Sequence, residues 1–283
     1  MSSQKITTKL PDPEGVAAGG TATFRIPTGK RIHELRLIYN DTNQDVTDFE
    51  EIRIFANGQV FQRFSGDFRD KLNQFDGKDA AAGVLGIPFD RSGMITLPGR
   101  ETTAINTGVA DKNGVKIASM YMEVDIASGI TISAADLRLY ARESDAVAGG
   151  PGTIPFIRSE QRNPSGADSD FQIGDLINPG VNAPDKIALN RITFIPSAGT
   201  ISSLKIDRNR YNIFDRPDSL NRVMQKDGIR VPQSGYYTID PTERGISGEV
   251  INLMGTTDFR YRLNVSQAMT LNCVSEYLGV LTG

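Results

Sequence analysis

A block of strand, turn, strand and helix signals is written twice in this chain, and that repetition limits the folds open to it more than any other feature. From Ile52 the sequence IRIFANGQVFQRF leads on to KLNQFDG; from Leu204, at an offset of 152 positions, LKIDRNRYNIFDR leads on to RVMQKDG. Both copies keep the same order over about 25 residues with one gap and end on Asp-Gly. Further along, MYMEVDIASGITIS answers FRYRLNVSQAMTLN, followed by LRLYA against SEYLG. A duplication of roughly 140 to 155 residues explains both matches more economically than one large domain with chance echoes. Two similar domains in tandem are expected.

The repeated block itself says what kind of domain. Ile52 and Ile54 alternate with Arg53, Asn57-Gly58 supplies the positive-φ turn of a tight hairpin, and Val60 opens the returning strand; Asn209-Arg210 takes the turn's place in the second copy. Ser65 as N-cap, Phe68, Leu72 and Phe75 at helical spacing, and Gly77 as a stop predict a short helix after the hairpin. Elsewhere Ala22–Pro27, RIHELRLIYN, GVLGIPFD, SGMITLPGRE, VKIASMYMEVDIA, ITISAADLRLYARE and IALNRITFIPSAG read as strands between polar turns. The 28 Gly and 14 Pro suit many such turns. A parallel sheet would need a helix between most strands, and those signals are missing. The expected fold is therefore all-β, two tandem eight-stranded antiparallel jelly-roll barrels with short helices in the loops. Residues 1–20 read as an N-terminal arm, 21–145 as the first barrel, the Gly- and Pro-rich 146–170 as a linker with only an IPFI island, and 171–283 as the second barrel.

Catalytic chemistry finds little to work with. His33 is the single histidine and lies inside RIHELRL, where a half-exposed sheet position is the plain reading; a Ser-His-Asp triad or a His-rich metal site would have to be built around it alone. No phosphate-binding glycine loop precedes a helix. The acidic pairs Asp168 with Asp170, Asp45 with Asp48, and Glu50 with Glu51 lack the order of a dedicated Ca²⁺ loop and read as solvated loop acids. The stretch RNRYNIFDR, Arg208 to Arg216, interleaves Arg with Tyr211 and Phe214 in the manner of a nucleic-acid track, but as the second hairpin of a duplicate it reads as a strand with a solvated face. A net charge of −3 argues against general nucleic-acid binding. Cys273 stands in an apolar alternation as a small core residue; a lone cysteine makes no internal disulfide and suits assembly in a reducing cytoplasm. The opening MSSQKITTKLPDPEG has no secretory-signal pattern, and no apolar run nears the roughly 18 residues of a membrane-spanning helix. No catalytic, cofactor-binding or metal-ligating residue is assigned, and the chain reads as a non-enzyme.

Five segments carry a resemblance: AAGGTATFRIPTGKRIHELRLIYND, EEIRIFANGQVFQRF, ASMYMEVDIASG, DLINPGVNAPDKIALNRITFIPSAG and LNCVSEYLGVLTG. In order, spacing and length they resemble the double jelly-roll major capsid proteins of the adenovirus and tectivirus structural lineage, most of all the compact corticovirus type of a membrane-containing icosahedral phage. The resemblance implies a homotrimer whose six barrels form a pseudo-hexagonal capsomer. It further implies neighbouring capsomers, vertex and minor capsid proteins as partners, an internal membrane below the shell, and a place in the virion capsid after assembly in the host cytoplasm. An N-terminal arm that orders on assembly belongs to the same expectation; no cofactor is expected, and structural Ca²⁺ at interfaces is left open. Two other readings stand beside it: a spike or vertex protein of the virion, and a carbohydrate-binding or glycan-cleaving β-sandwich, the latter weakened by the absence of Trp.

Overall fold

The computed structural model describes residues 4–281 except 79, 81 and 178–182, so the first residues of the presumed arm and the middle of DLINPGVNAPDK lie outside the described residues. Ten strands occupy the described first part: β1 (Ile6–Lys9), β2 (Thr21–Ile26), β3 (Lys30–Ile38), β4 (Phe49–Ala56), β5 (Gln59–Phe64), β6 (Val84–Pro88), β7 (Ile105–Asn106), β8 (Met120–Ile126), β9 (Arg138–Asp145) and β10 (Ile154–Arg162). Eight follow: β11 (Asp168–Ile173), β12 (Ala188–Pro196), β13 (Ile201–Arg208), β14 (Tyr211–Pro217), β15 (Tyr237–Ile239), β16 (Ile251–Asn252), β17 (Phe259–Val265) and β18 (Leu271–Gly279). Among the described residues three α-helices interrupt them, α1 (Gly66–Phe75), α2 (Leu97–Glu101) and α3 (Asp218–Asp227). The chain divides into two units, 1–157 with 279–283 and 158–278, the division falling inside β10.

The duplication holds at the level of strand order. In the first unit one sheet runs β2-β8-β4-β5, and β3 in the other pairs with β9, β6 and β7. In the second, one sheet runs β11-β17-β13-β14, and β12 pairs with β18, β15 and β16. All of these pairs are antiparallel and each unit uses eight strands in the same roles. Alternation supplies the two cores. Phe24, Ile52, Ile54, Phe61 and Met122 meet Leu35, Leu37, Leu85, Ile87 and Leu139 in the first unit; Leu204, Ile206, Tyr261 and Leu263 meet Ile192, Phe194, Ile239 and Leu271 in the second. Edge-on aromatic contact of Phe194 with Tyr261, centroids 5.6 Å apart, joins the two sheets of the second unit.

Both hairpin tips are anchored by an asparagine in the same way. Asn57 and Asn209 take φ of +51° and +50°; Asn57 Oδ1 accepts from Ala118 N and Ser119 N, and Asn209 Oδ1 accepts from Thr257 N and Asp258 N. The next residue differs, Gly58 at φ +80° in one and Arg210 at φ +69° in the other. A left-handed conformation is free for glycine and costs other L-residues about 1–2 kcal/mol.

One local expectation is corrected, and two segments expected outside the barrels hold strands of their own. SGMITLPGRE is not a strand; it holds α2, capped by Thr96 Oγ1 accepting from Gly99 N, with Pro98 in the first turn where its missing N–H costs nothing. Within 146–170, read as linker, lie β10 and the start of β11; Ile157 adds in parallel beside Gln62 of β5, and Gln62 Nε2 donates to Pro155 O. Backbone pairing of this kind makes no demand on the glycines and prolines around it. Within 1–20, read as an arm, β1 pairs antiparallel with β9 and Leu10 is buried, so residues 6–10 are already fastened to their own unit.

Candidate functional site

His33 is the first place to look for chemistry, and the structure moves it. It is 1% exposed, not half-exposed as its place in a strand suggests, because a bulge between Ile32 and Glu34 lets consecutive residues of β3 turn inward. Its Nδ1 donates to Asp90 Oδ1 at 2.9 Å, and its Nε2 lies 3.0 Å from Ser144 Oγ on β9. The order Ser, His, Asp is that of a hydrolytic triad. A nucleophile must meet its substrate, however, and Ser144 is buried in a paired strand.

What surrounds the triad explains it better. Lys5 Nζ stands 2.6 Å from Glu101 Oε1 and 3.3 Å from Asp90 Oδ2, and Arg31 reaches the carbonyl of Glu101 and, at 3.6 Å, its carboxylate. His33, Asp90 and Glu101 bring ligand atoms within 4.8 Å of one another, a spacing that would suit a cation, and the Lys5 ammonium supplies the positive charge there. At the matching bulge in β12 the second unit places Asn190, where Asn190 and Arg191 both donate to Glu276 of β18. Two different polar sets thus fill one structural position, as expected of groups that satisfy each other around a bulge.

The acidic pairs are engaged locally. Asp45 and Asp48 form a capping box at a single helical turn, Val46–Asp48. Glu51 ties Arg53 and Arg63, while Glu50 is exposed. Asp168 Oδ1 accepts from Asp170 N, and Asp170 receives two hydrogen bonds from Arg262, which hold its carboxyl below the usual carboxylate range. Burial pushes the Cys273 thiol up to about 12, far from the reactive range of a nucleophilic cysteine. Among the described residues no helix is long and apolar enough to cross a membrane.

The chemically distinctive surface is in the second unit, where sequence reasoning placed only a solvated strand. Along β14, α3 and the loop after it, Tyr211 is 76% exposed and Ile213, Leu220 (46%), Val223 (54%), Ile229 and Val231 also lie outside. α3 is turned inside out: Asn221 and Gln225 are buried, both donating to Thr238 O at 2.8 and 2.7 Å. Arg216 is held by Glu243 at 2.9 Å and lies over the Phe214 ring. The match to the first copy announced a helix here but not the face it would show.

Two family models match the chain in order, the viral coat protein P2 N-terminal domain over residues 7–145 and the viral coat protein P2 C-terminal domain over 154–281. The chain belongs to the viral coat protein P2 family. This P2-family protein is a structural component of the virion capsid and not an enzyme, which sets aside the glycan-cleaving alternative. No curated protein matches it by sequence. Among solved structures it is similar to the major capsid protein P2 from bacteriophage PM2, with 18% identity, a TM-score of 0.83, and 99% of this chain and 98% of that one covered. It is also similar to the STIV MCP (12%, TM-score 0.66, 97% of each chain) and to PBCV-1 VP54 (10%, TM-score 0.58, 98% and 94%). These likenesses confirm the double jelly-roll fold.

Proposed function

We propose that the chain is the major capsid protein of an icosahedral virus with an internal membrane, and that three copies form a pseudo-hexagonal capsomer. The observation that carries this reading is the pair of eight-stranded sandwiches with identical strand order in one polypeptide. Six like-shaped barrels from three chains approximate a hexagon, a shape that tiles a shell, without six separate subunits. In this reading the barrel bodies run close to 21–145 and 171–283, with 1–20 and 146–170 as the segments that tie them down.

The exposed Leu220, Val223, Ile229 and Val231 support the reading, since apolar surface displayed by a coat protein is surface for neighbouring copies to cover. Vertex proteins, minor capsid proteins and the membrane beneath are the remaining partners, and sequence-specific nucleic-acid binding is no part of the function. Size-exclusion chromatography with light scattering tests it. Three chains of 30.8 kDa give a particle of about 92 kDa. A monomer persisting at high concentration overturns the capsomer.

A further inference from the structure

We propose that the tip of the β13–β14 hairpin is a binding site for a phosphate-type oxyanion, with Arg210 as its principal contact. Comparison of the two tips isolates this residue. Each asparagine Oδ1 accepts from two successive backbone N–H groups of the neighbouring loop. Nothing in the turn calls for an arginine: Gly58 serves the first tip without strain, whereas Arg210 holds φ +69°. Backbone strain kept at an exposed turn points to the side chain that imposes it.

Among the described residues the Arg210 guanidinium has no hydrogen bond or ion pair, although Asn209, Arg210, Thr257, Asp258 and Arg260 together line a depression of about 430 Å³. Arg260 donates through Nε to Asp258 Oδ1 at 3.0 Å and through a terminal nitrogen to Gln172 Oε1 at 3.4 Å. Asp258 is thereby neutralised, and the charge of Arg210 is left over in a polar hollow. An apolar ligand finds no matching wall there and a cation is repelled. A tetrahedral oxyanion meets a planar fork of donors suited to it. The hollow is larger than one phosphate ion, so an ester of phosphate fits the site as well as the free ion.

Two sources share this chemistry, the headgroup of an anionic phospholipid and a soluble phosphate, and the test separates them. Wild type and Arg210→Gly are titrated with inorganic phosphate by calorimetry and sedimented with vesicles of phosphatidylglycerol or of phosphatidylcholine. Arg210→Gly is expected to weaken binding at least about tenfold while leaving Tm unchanged or raising it by about 2–4 °C, because glycine relieves the turn. That combination separates a lost ligand contact from a misfolded variant. Arg210-dependent sedimentation with phosphatidylglycerol but not phosphatidylcholine supports the headgroup as source, and Arg210-dependent binding of inorganic phosphate alone supports a soluble one. Equal binding by both proteins, or none by wild type in any arm, overturns the site. The headgroup arm rests on the proposed membrane beneath the shell and the phosphate arm does not. Light scattering on the same samples reports the capsomer independently, so either proposal can fail alone.

Discussion

α1 and α3 occupy the same place in the duplicated design and dock by the same bond. Asn73 Nδ2 donates to Gly86 O on β6 at 2.8 Å, and Gln225 Nε2 donates to Thr238 O on β15 at 2.7 Å; each member of the second pair lies 152 positions after its counterpart in the first. Their apolar residues part company. Phe68 is 4% exposed and packs inward with Leu72 and Phe75, whereas Leu220, its counterpart at the same offset, faces out. The connection from β3 to β4, and its equivalent from β12 to β13, explains the divergence. In the first unit residues 39–48 include the turn Val46–Asp48, which presses on the start of α1 so closely that a Cβ on Gly66 would clash with Val46 O. The second unit joins β12 to β13 through residues 197–200 alone. A helix covered by its own loop buries its apolar side; one without that cover is held by amide hydrogen bonds and keeps an apolar side for something else.

Truncation should break the likeness most sharply. Phe68→Ala is expected to cost about 3–5 kcal/mol in urea unfolding, whereas Leu220→Ala should stay within about 0.5 kcal/mol, and similar losses at the two sites would refute the inside-out description of α3. The shared docking bond predicts parity. Asn73→Ala and Gln225→Ala should each cost about 1–3 kcal/mol, and a much smaller loss at Gln225 would mean that α3 is held some other way.

Val223→Lys copies the residue the first unit carries at Lys71 and sharpens the functional side of the comparison. Protomer stability should move by less than about 0.5 kcal/mol while the trimer dissociates at higher protein concentration in light scattering. An unchanged trimer would free this face from the capsomer contacts. The smallest effect belongs to Asp170. Its value is lowered chiefly by the Arg262 hydrogen bond, so its stabilising contribution is full above the ordinary carboxylate range and disappears as the pH falls through the lowered folded value. Asp170→Asn should therefore narrow the loss of Tm below about pH 4 without altering Tm at neutral pH by more than a degree or two.

Much of the fold was readable because it is written in short-range terms. The Asn57-Gly58 turn, the Ser65 cap whose Oγ accepts from Phe68 N, and the alternation of Ile52 and Ile54 each follow from neighbours a few positions apart. Reading failed where a distant segment decides. His33 is buried because a bulge in β3 rotates it toward Asp90 and Ser144, 57 and 111 positions away. Residues 146–170 looked like linker because Ile154–Ile157 has no local partner and finds one in β5. The surface of the second unit was missed for the same reason, since correspondence with the first copy announces a helix without saying which side will be covered.

By itself, then, the amino-acid order determined two like sandwiches, the positions of most of their turns and the existence of a helix after each hairpin. Those are matters of backbone preference and of period, settled within a few residues. Only the tertiary structure decided which apolar side chains are shared with the interior and which are offered outward, and that the arginine at one hairpin tip holds a left-handed φ of +69°. Burial depends on what another part of the chain brings to cover a side chain, and that cover comes from loops and strands remote in sequence.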